Sequence, residues 1–161
     1  MHPDAVVVKA YFSLGSNLGD RRAHFVTAIP LLAHGEPSRI SQVYETEPQG
    51  GIEQSNFWNL VMEVETSASP RDLLARAHAA EAACQRTRDV RWGPRTLDVD
   101  VVLVGDVVSD DPELTIPHPR MWERRFVLAP LRELAPDIVS VEAVECAEGE
   151  VVALGTLASL S

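Results

Sequence analysis

Positive charge is scarce in this 161-residue chain: 14 lysines and arginines stand against 24 aspartates and glutamates, a formal net charge of −10. A general nucleic-acid binder needs a broad basic surface to displace counterions, so that class is excluded. Long apolar runs are missing too. None approaches the ~20 residues of a membrane span. The start, MHPDAVVVKAYFSL, has neither a basic leader region nor a cleavage site. It reads as a first strand, and the protein as cytoplasmic with no membrane partner. Cysteine is limited to Cys84 and Cys146, and two lone cysteines point to a reduced interior more than to a disulfide framework. No internal repeat, low-complexity segment or linker divides the chain. It is expected to form one domain over residues 1–161, a monomer acting on small molecules.

What basic charge there is lies in clusters. Arg86, Arg88, Arg91 and Arg95 fall within ten positions, and Arg120, Arg124 and Arg125 form a second group. Clustering inside an acidic protein suggests a focused site for a small polyanion.

Pattern along the chain predicts a strand over residues 5–14, stopped by Gly15. SNLGD follows as a turn in which Asp20 caps a helix carrying Phe25, Ala28 or Ile29, and Leu32 on one face. Pro30 should kink that helix or end it early. Ile40 to Thr46 reads as a second strand, EPQGGIEQS as a glycine-bearing loop and Phe57 to Thr66 as a third strand. Ser69, Pro70 and Asp72 mark a helix start, with Leu73, Ala77, Ala80 and Cys84 on one face and an end near Arg86. A fourth strand is expected from Leu97 to Val104, turned by Gly105-Asp106 into a short partner, Val107-Val108. A last helix is expected from Pro119 or Arg120 to Ala135. Residues 137–161 carry no firm pattern. The order βαββαβ with extra C-terminal elements is that of an α+β, ferredoxin-like sandwich, an antiparallel sheet covered on one face by two helices.

The stretch RWGPRTLDVDVVLVGD, residues 91–106, carries the strongest chemical signal. Asp98 and Asp100 are two apart in a strand, so both point to one face while Leu97, Val99 and Val101 point to the other. Two adjacent carboxylates either sit solvated on an open sheet face or hold a hard cation such as Mg²⁺, leaving coordination positions for water and phosphate. Arginines just upstream favour the second reading, because guanidinium groups neutralise a polyphosphate bidentately. Trp92 in the same loop could be a buried anchor or a lid over the site. His118, between Pro117 and Pro119, sits in a stiff extended segment. It could be structural or functional. Phe126 fits a site face or the core equally, and Asn59 inside a strand asks for a hydrogen-bonding partner. Thr46 and Phe57 carry no individual signal. SLGSNLGD lacks the phosphate-loop and dinucleotide patterns and reads as a tight turn plus helix cap.

The ordered series LGSNLGDR, VYETEPQGG, NFWNLVMEVET, RWGPRTLDVDVVLVGD and IPHPRMWERRFVLAPL, over residues 6 to about 136, resembles the 6-hydroxymethyl-7,8-dihydropterin pyrophosphokinase family of folate biosynthesis. The resemblance implies an ATP-dependent transferase of ferredoxin-like fold. It moves the β,γ-diphosphate of ATP onto the 6-hydroxymethyl oxygen and releases AMP. It implies two Mg²⁺ ions held by Asp98 and Asp100, and catalytic roles for these acids with Arg86 and Arg95. ATP binding falls to Arg86, Arg88, Trp92, Arg95, His118 and Arg124. The pterin slot falls to Thr46, Phe57, Asn59, Trp92 and Phe126, with Trp92 and Arg95 on a loop that closes over the site. No side chain stands out as a base for the hydroxyl, so catalysis is expected from positioning and electrostatics.

Two other classes share some of these features. A nucleotidyltransferase also uses a Gly-Ser turn and paired acids, but in that class the turn lies shortly before the acids. Here Gly15-Ser16 and Asp98 are more than eighty positions apart. A non-catalytic ferredoxin-like ligand-binding module would need no Mg²⁺ and would not turn over ATP. Release of AMP, of pyrophosphate or of neither separates the three.

Overall fold

The computed structural model describes residues 6–47, 55–84 and 96–160. Five segments of three to ten residues, the two longest buried along most of their length, form one antiparallel sheet. They are β1 (Val8–Ser16), β2 (Ser38–Ile40), β3 (Val43–Thr46), β4 (Phe57–Thr66) and β5 (Asp98–Val104). A late strand, β8 (Val152–Gly155), joins them. The order is β5-β1-β4-β3-β8, with β2 also paired to β4. The segment expected as one strand from Ile40 to Thr46 is thus two. Ser41 interrupts it, because its Oγ takes the Val61 N–H at 3.0 Å while its own N–H reaches Val61 O.

β1 does not stop at Gly15. It runs on to Ser16, with Gly15 opposite Asn59 of β4 on one side and Asp98 of β5 on the other. Pairing on both sides outweighs the poor strand propensity of glycine.

Two helices cover one face. In α1 (Arg21–Ala33) the Asp20 carboxylate accepts the Ala23 N–H, and Phe25, Ala28 and Leu32 are buried. The helix passes through Pro30 instead of breaking, since only its last few residues follow and a proline there forfeits a single backbone hydrogen bond. α2 (Pro70–Ala83) starts as expected, with Ser69 Oγ accepting the Asp72 N–H. It buries Leu73, Ala77 and Ala80 against Phe12, Leu14, Leu60, Met62, Val99 and Val101 of the sheet. The expected extension to Arg86 and the loop over 48–54 lie outside the described residues.

The opposite face is covered as well, which corrects the expectation of a half-covered sheet. Here α3 (Arg125–Leu134) packs Val127, Leu128 and Leu131 on Tyr11, Val61 and Val102. The helix expected from Pro119 is shorter, because residues 121–123 form a separate 3₁₀ turn and Arg124 is extended. Val107 and Val108 do not form a strand. With no partner in reach, Val108 stays 83% exposed. The hairpin forms further on, between β6 (Ser109–Asp111) and β7 (Leu114–Ile116), where Leu114 and Ile116 reach the core. α4 (Val141–Cys146) and β8 complete the region for which the sequence showed no pattern. Cys84 is buried, Cys146 is exposed, and both are free.

Candidate active site

Strand alternation places Asp98, Asp100 and Val102 on the face of the sheet that carries α3. Val99 and Val101 are buried on the other face, among the residues packed with α2. Asp98 is half-buried and Asp100 exposed. Both line a cleft of about 310 Å³ between β5, α2 and the β7 segment, together with Glu81, His78, Thr115 and His118.

His118 follows the cis Ile116–Pro117 peptide. Its backbone N–H donates to Val102 O at 2.9 Å, and its Nδ1 accepts the Arg120 N–H at 3.2 Å. With Nδ1 used as acceptor, the neutral ring carries its proton on Nε2. Burial pushes the imidazole's pKa below its usual value, Asp100 acts against that shift, and Arg124 and Arg120 reinforce it. Arg124 responds to the same neighbours. Burial and Arg120 lower its pKa, while Asp100 and Asp98 raise it. A charged guanidinium, an imidazole and two carboxylates therefore share one electrostatic neighbourhood.

A second group gathers two strands away. Asn59 is buried, and its Nδ2 donates to Thr46 Oγ1 at 3.0 Å, which supplies the partner that an amide within a strand requires. Thr46 pairs with Phe57 across the β3–β4 ladder, so Thr46, Phe57 and Asn59 share a face. Three hydrogen bonds hold the entry into β4. Asn17 Nδ2 donates to Ser55 O at 2.9 Å, Arg21 to Asn56 O at 2.8 Å, and Asn56 Nδ2 to Glu45 Oε1 at 2.9 Å. Register sets the relation between the two groups. Asp98 lies opposite Gly15, and Gly15 lies opposite Asn59. The three form one transverse row, and two interstrand spacings put carboxylate and amide strands about 10 Å apart. Phe126, at the start of α3, is half-buried beside this face, and the Arg124 guanidinium stands 5.5 Å from its ring centroid.

Asp98, Asp100, His118 and Arg124 are thus brought together, and so are Thr46, Phe57 and Asn59, with Phe126 in contact with Arg124. Arg86, Arg88, Trp92 and Arg95 lie outside the described residues. Among the described residues no set of three or more His, Cys, Asp or Glu side chains is arranged to hold a metal by itself. Two hard carboxylate oxygen donors, with coordination left for phosphate and water, suit Mg²⁺ more than a structural metal.

Glu81 is a site residue that the sequence reading missed. It is buried, lines the cleft, and its Oε2 accepts the Val99 N–H at 3.0 Å. That amide lies between the two aspartates on an edge strand, so Glu81 satisfies an edge donor and pins the strand that bears them. The signal was present: Leu73, Ala77 and Glu81 are spaced i, i+4, i+8, which puts an acid on the buried stripe of α2.

An antiparallel sheet with paired carboxylates and a histidine at one cleft, and an arginine within their electrostatic reach, defines a protein equipped for phosphate chemistry. The model of the 7,8-dihydro-6-hydroxymethylpterin-pyrophosphokinase (HPPK) family matches residues 11–136. A Bacillus subtilis 2-amino-4-hydroxy-6-hydroxymethyldihydropteridine pyrophosphokinase is 43% identical over 132 residues, 80% of this chain and 79% of that one. A Schizosaccharomyces pombe folic acid synthesis protein is 42% identical over 133 residues, 81% of this chain but 18% of that one. Among solved structures, a Plasmodium falciparum HPPK-DHPS with pteroate superposes with a TM-score of 0.57 at 14% identity, over 81% of this chain and 40% of that one, a likeness of fold. The chain belongs to the 7,8-dihydro-6-hydroxymethylpterin-pyrophosphokinase family. It is a transferase of folate biosynthesis that moves diphosphate from ATP to the 6-hydroxymethyl group of the dihydropterin.

Proposed function

We propose that the row running from Asp98 through Gly15 to Asn59 is the reaction axis, with ATP bound at the Asp98 end and the pterin at the Asn59 end. The observation that supports this most directly is the register. It sets a carboxylate pair and a neutral amide about 10 Å apart on one face, a separation suited to a polyphosphate meeting the side arm of a flat ring.

On the ATP side, Asp98 and Asp100 would hold two Mg²⁺ ions, which when bound offset phosphate charge so that an alcohol can approach phosphorus. His118 donates from Nε2 to a phosphate oxygen, because its Nδ1 is already taken by the Arg120 amide. Arg124 adds a charge-assisted donor, and Arg86, Arg88 and Arg95 supply the remaining guanidinium groups, with Arg86 and Arg95 acting at the transferring phosphoryl groups. On the pterin side, Phe57 and Phe126 offer ring faces, while Thr46 and Asn59 present polar groups to the ring edge. Trp92 serves both sides by covering the two ligands. The hydroxymethyl oxygen attacks the β-phosphorus as its proton passes to solvent, the bond from that phosphorus to the α,β-bridging oxygen breaks, and AMP leaves with that oxygen.

The strand order β5-β1-β4-β3, with α1 and α2 as the crossovers, supports a ferredoxin-like topology to which α3, α4 and β8 are additions. One sheet with a core on each face supports a single domain. Among the described residues no helix is long and apolar enough to cross a membrane. We read the chain as a cytoplasmic monomer that handles small molecules, and its net charge of −10 speaks against nucleic acid as a partner.

The test is product analysis with ATP, Mg²⁺ and 6-hydroxymethyl-7,8-dihydropterin. AMP should appear only when all three are present. Pyrophosphate release would indicate nucleotidyl transfer, and absence of turnover a binding module.

A further inference from the structure

Gly15 is placed where a side chain would reach into the candidate site. It is the middle member of the transverse row, buried, with Asn59 beside it on β4 and Asp98 beside it on β5. A Cβ added to Gly15 would come within 2.9 Å of Asn59 Oδ1, closer than real Cβ contacts, while Phe57 Cδ1 at 3.7 Å and Trp58 O at 3.9 Å would be at ordinary contact distance. The Asn59 carboxamide therefore extends from Thr46, which receives its Nδ2 hydrogen bond on the β3 side, to the backbone of β1. It can do so only because β1 offers bare backbone there. No positive φ explains this glycine, since Gly15 is absent from the positive-φ glycines of the chain. Close approach does.

We infer that Gly15 is a positioning residue for pterin binding: its missing Cβ lets the Asn59 carboxamide lie across β1, held by Thr46. The inference rests on the reading that Asn59 faces the pterin. With any side chain at position 15 the amide is forced off its seat and towards the ring edge it reads. The conflict is the same whichever amide atom faces Gly15. The three atoms nearest the Cβ position belong to Asn59, Phe57 and Trp58, so the larger effect falls on pterin binding, and the separate nucleotide titration reads any effect through Asp98 across the ladder.

The experiment is a double-mutant cycle on Gly15→Ala and Asn59→Ala in the full chain. Dihydropterin is titrated by calorimetry with Mg²⁺ and α,β-methylene-ATP present, and the analogue is titrated separately. Gly15→Ala should weaken pterin binding by about tenfold or more and analogue binding by clearly less. In the Asn59→Ala background the same substitution should cost nothing further, because the group it displaces is gone. Equal losses from Gly15→Ala with and without Asn59 would overturn the inference, as would an unaffected pterin affinity. If Asn59→Ala alone leaves pterin binding intact, the pterin-side reading of Asn59 fails and the inference goes with it. Should Gly15→Ala not fold, recovery of folding in the double variant would establish the clash with Asn59. Failure of both to fold would place the conflict elsewhere and overturn the proposal.

Discussion

Asp98 and Asp100 project from alternate positions of a strand in which the residue following each, Val99 and Val101, is only 6% exposed. The backbone that carries the carboxylates is therefore fixed by apolar packing on the opposite face, independently of what the carboxylates bind. Asp98→Asn or Asp100→Asn should reduce kcat by at least about a hundredfold, the order seen when a preorganised electrostatic group is lost, while circular dichroism and Tm stay near wild type. Near-normal turnover in both variants would remove the acids from the reaction. Phe126 belongs to the same scale. Its half-buried ring contacts Arg124, and truncation to alanine should weaken pterin binding by about 1–3 kcal/mol through lost stacking area. Separate calorimetric titrations of pterin and ATP analogue check this, and a loss confined to the analogue would put Phe126 on the wrong side of the site.

Between elements, α3 is tied to the sheet by a polar cluster as well as by its apolar face. Glu63 of β4 is buried and accepts from Tyr11 Oη at 2.8 Å and from Arg39 at 3.0 and 2.9 Å. The same Arg39 reaches Leu134 O at the end of α3 at 3.0 Å. Nearby, Tyr44 donates to Glu133 of α3, whose other oxygen takes the Gln42 N–H at 3.0 Å. Burial raises the pKa of the Glu63 carboxyl, but the hydrogen bonds from Arg39 and Tyr11 outweigh it, and the net shift is downward from 4.5. The sign of the linkage follows. A carboxyl with a lower pKa folded than unfolded adds stability above its unfolded pKa and loses it as pH falls through the folded one. Glu63→Gln should cost about 1.5–3 kcal/mol at neutral pH and flatten the fall of stability below about pH 4.5. Chemical denaturation at a series of pH values reads both effects. An acid limb as steep as the wild type's would show that Glu63 is not its source.

At the scale of the whole molecule, residues 137–160 lie beyond the stretch matched by the family model and are fastened to it at several places. Among them is a backbone pair in which the Glu148 N–H donates to Glu123 O at 2.9 Å and the Arg125 N–H to Glu148 O at 3.0 Å. β8 extends the sheet beyond β3, and Arg125 donates to Val144 O at 3.0 Å and to Glu145 O and Ala147 O at 2.8 Å. One guanidinium thus serves three carbonyls at the end of α4, of which Val144 O also accepts the Ala147 N–H at 3.2 Å. Arg125→Ala should lower stability by about 1.5–3 kcal/mol and make the C-terminal segment the first site of limited proteolysis, with the pterin KM little changed. Cleavage elsewhere first would show that Arg125 is not the fastening.

Much of this was legible in residue patterns, because local chemistry acts over a few positions. Asp20 and Ser69 cap the helices they were expected to cap, Phe57–Thr66 is a strand, and alternation alone placed Asp98 and Asp100 on one face. What tertiary structure decided is what depends on partners distant in sequence. Gly15 reads locally as a strand stop, yet strands on both sides carry β1 through it. Val107-Val108 reads as a strand and is none, for want of a neighbour. Glu81 reads as one more helix acid until β5 brings the Val99 amide against it. The second covered face depends on α3, whose docking needs Glu63, Arg39 and Leu134 together. That Asn59 and Asp98 lie on one transverse row is likewise set by register: 39 positions apart in the chain, they come onto the same face only because β1 pairs with both their strands, and its backbone hydrogen bonds align Gly15 between them.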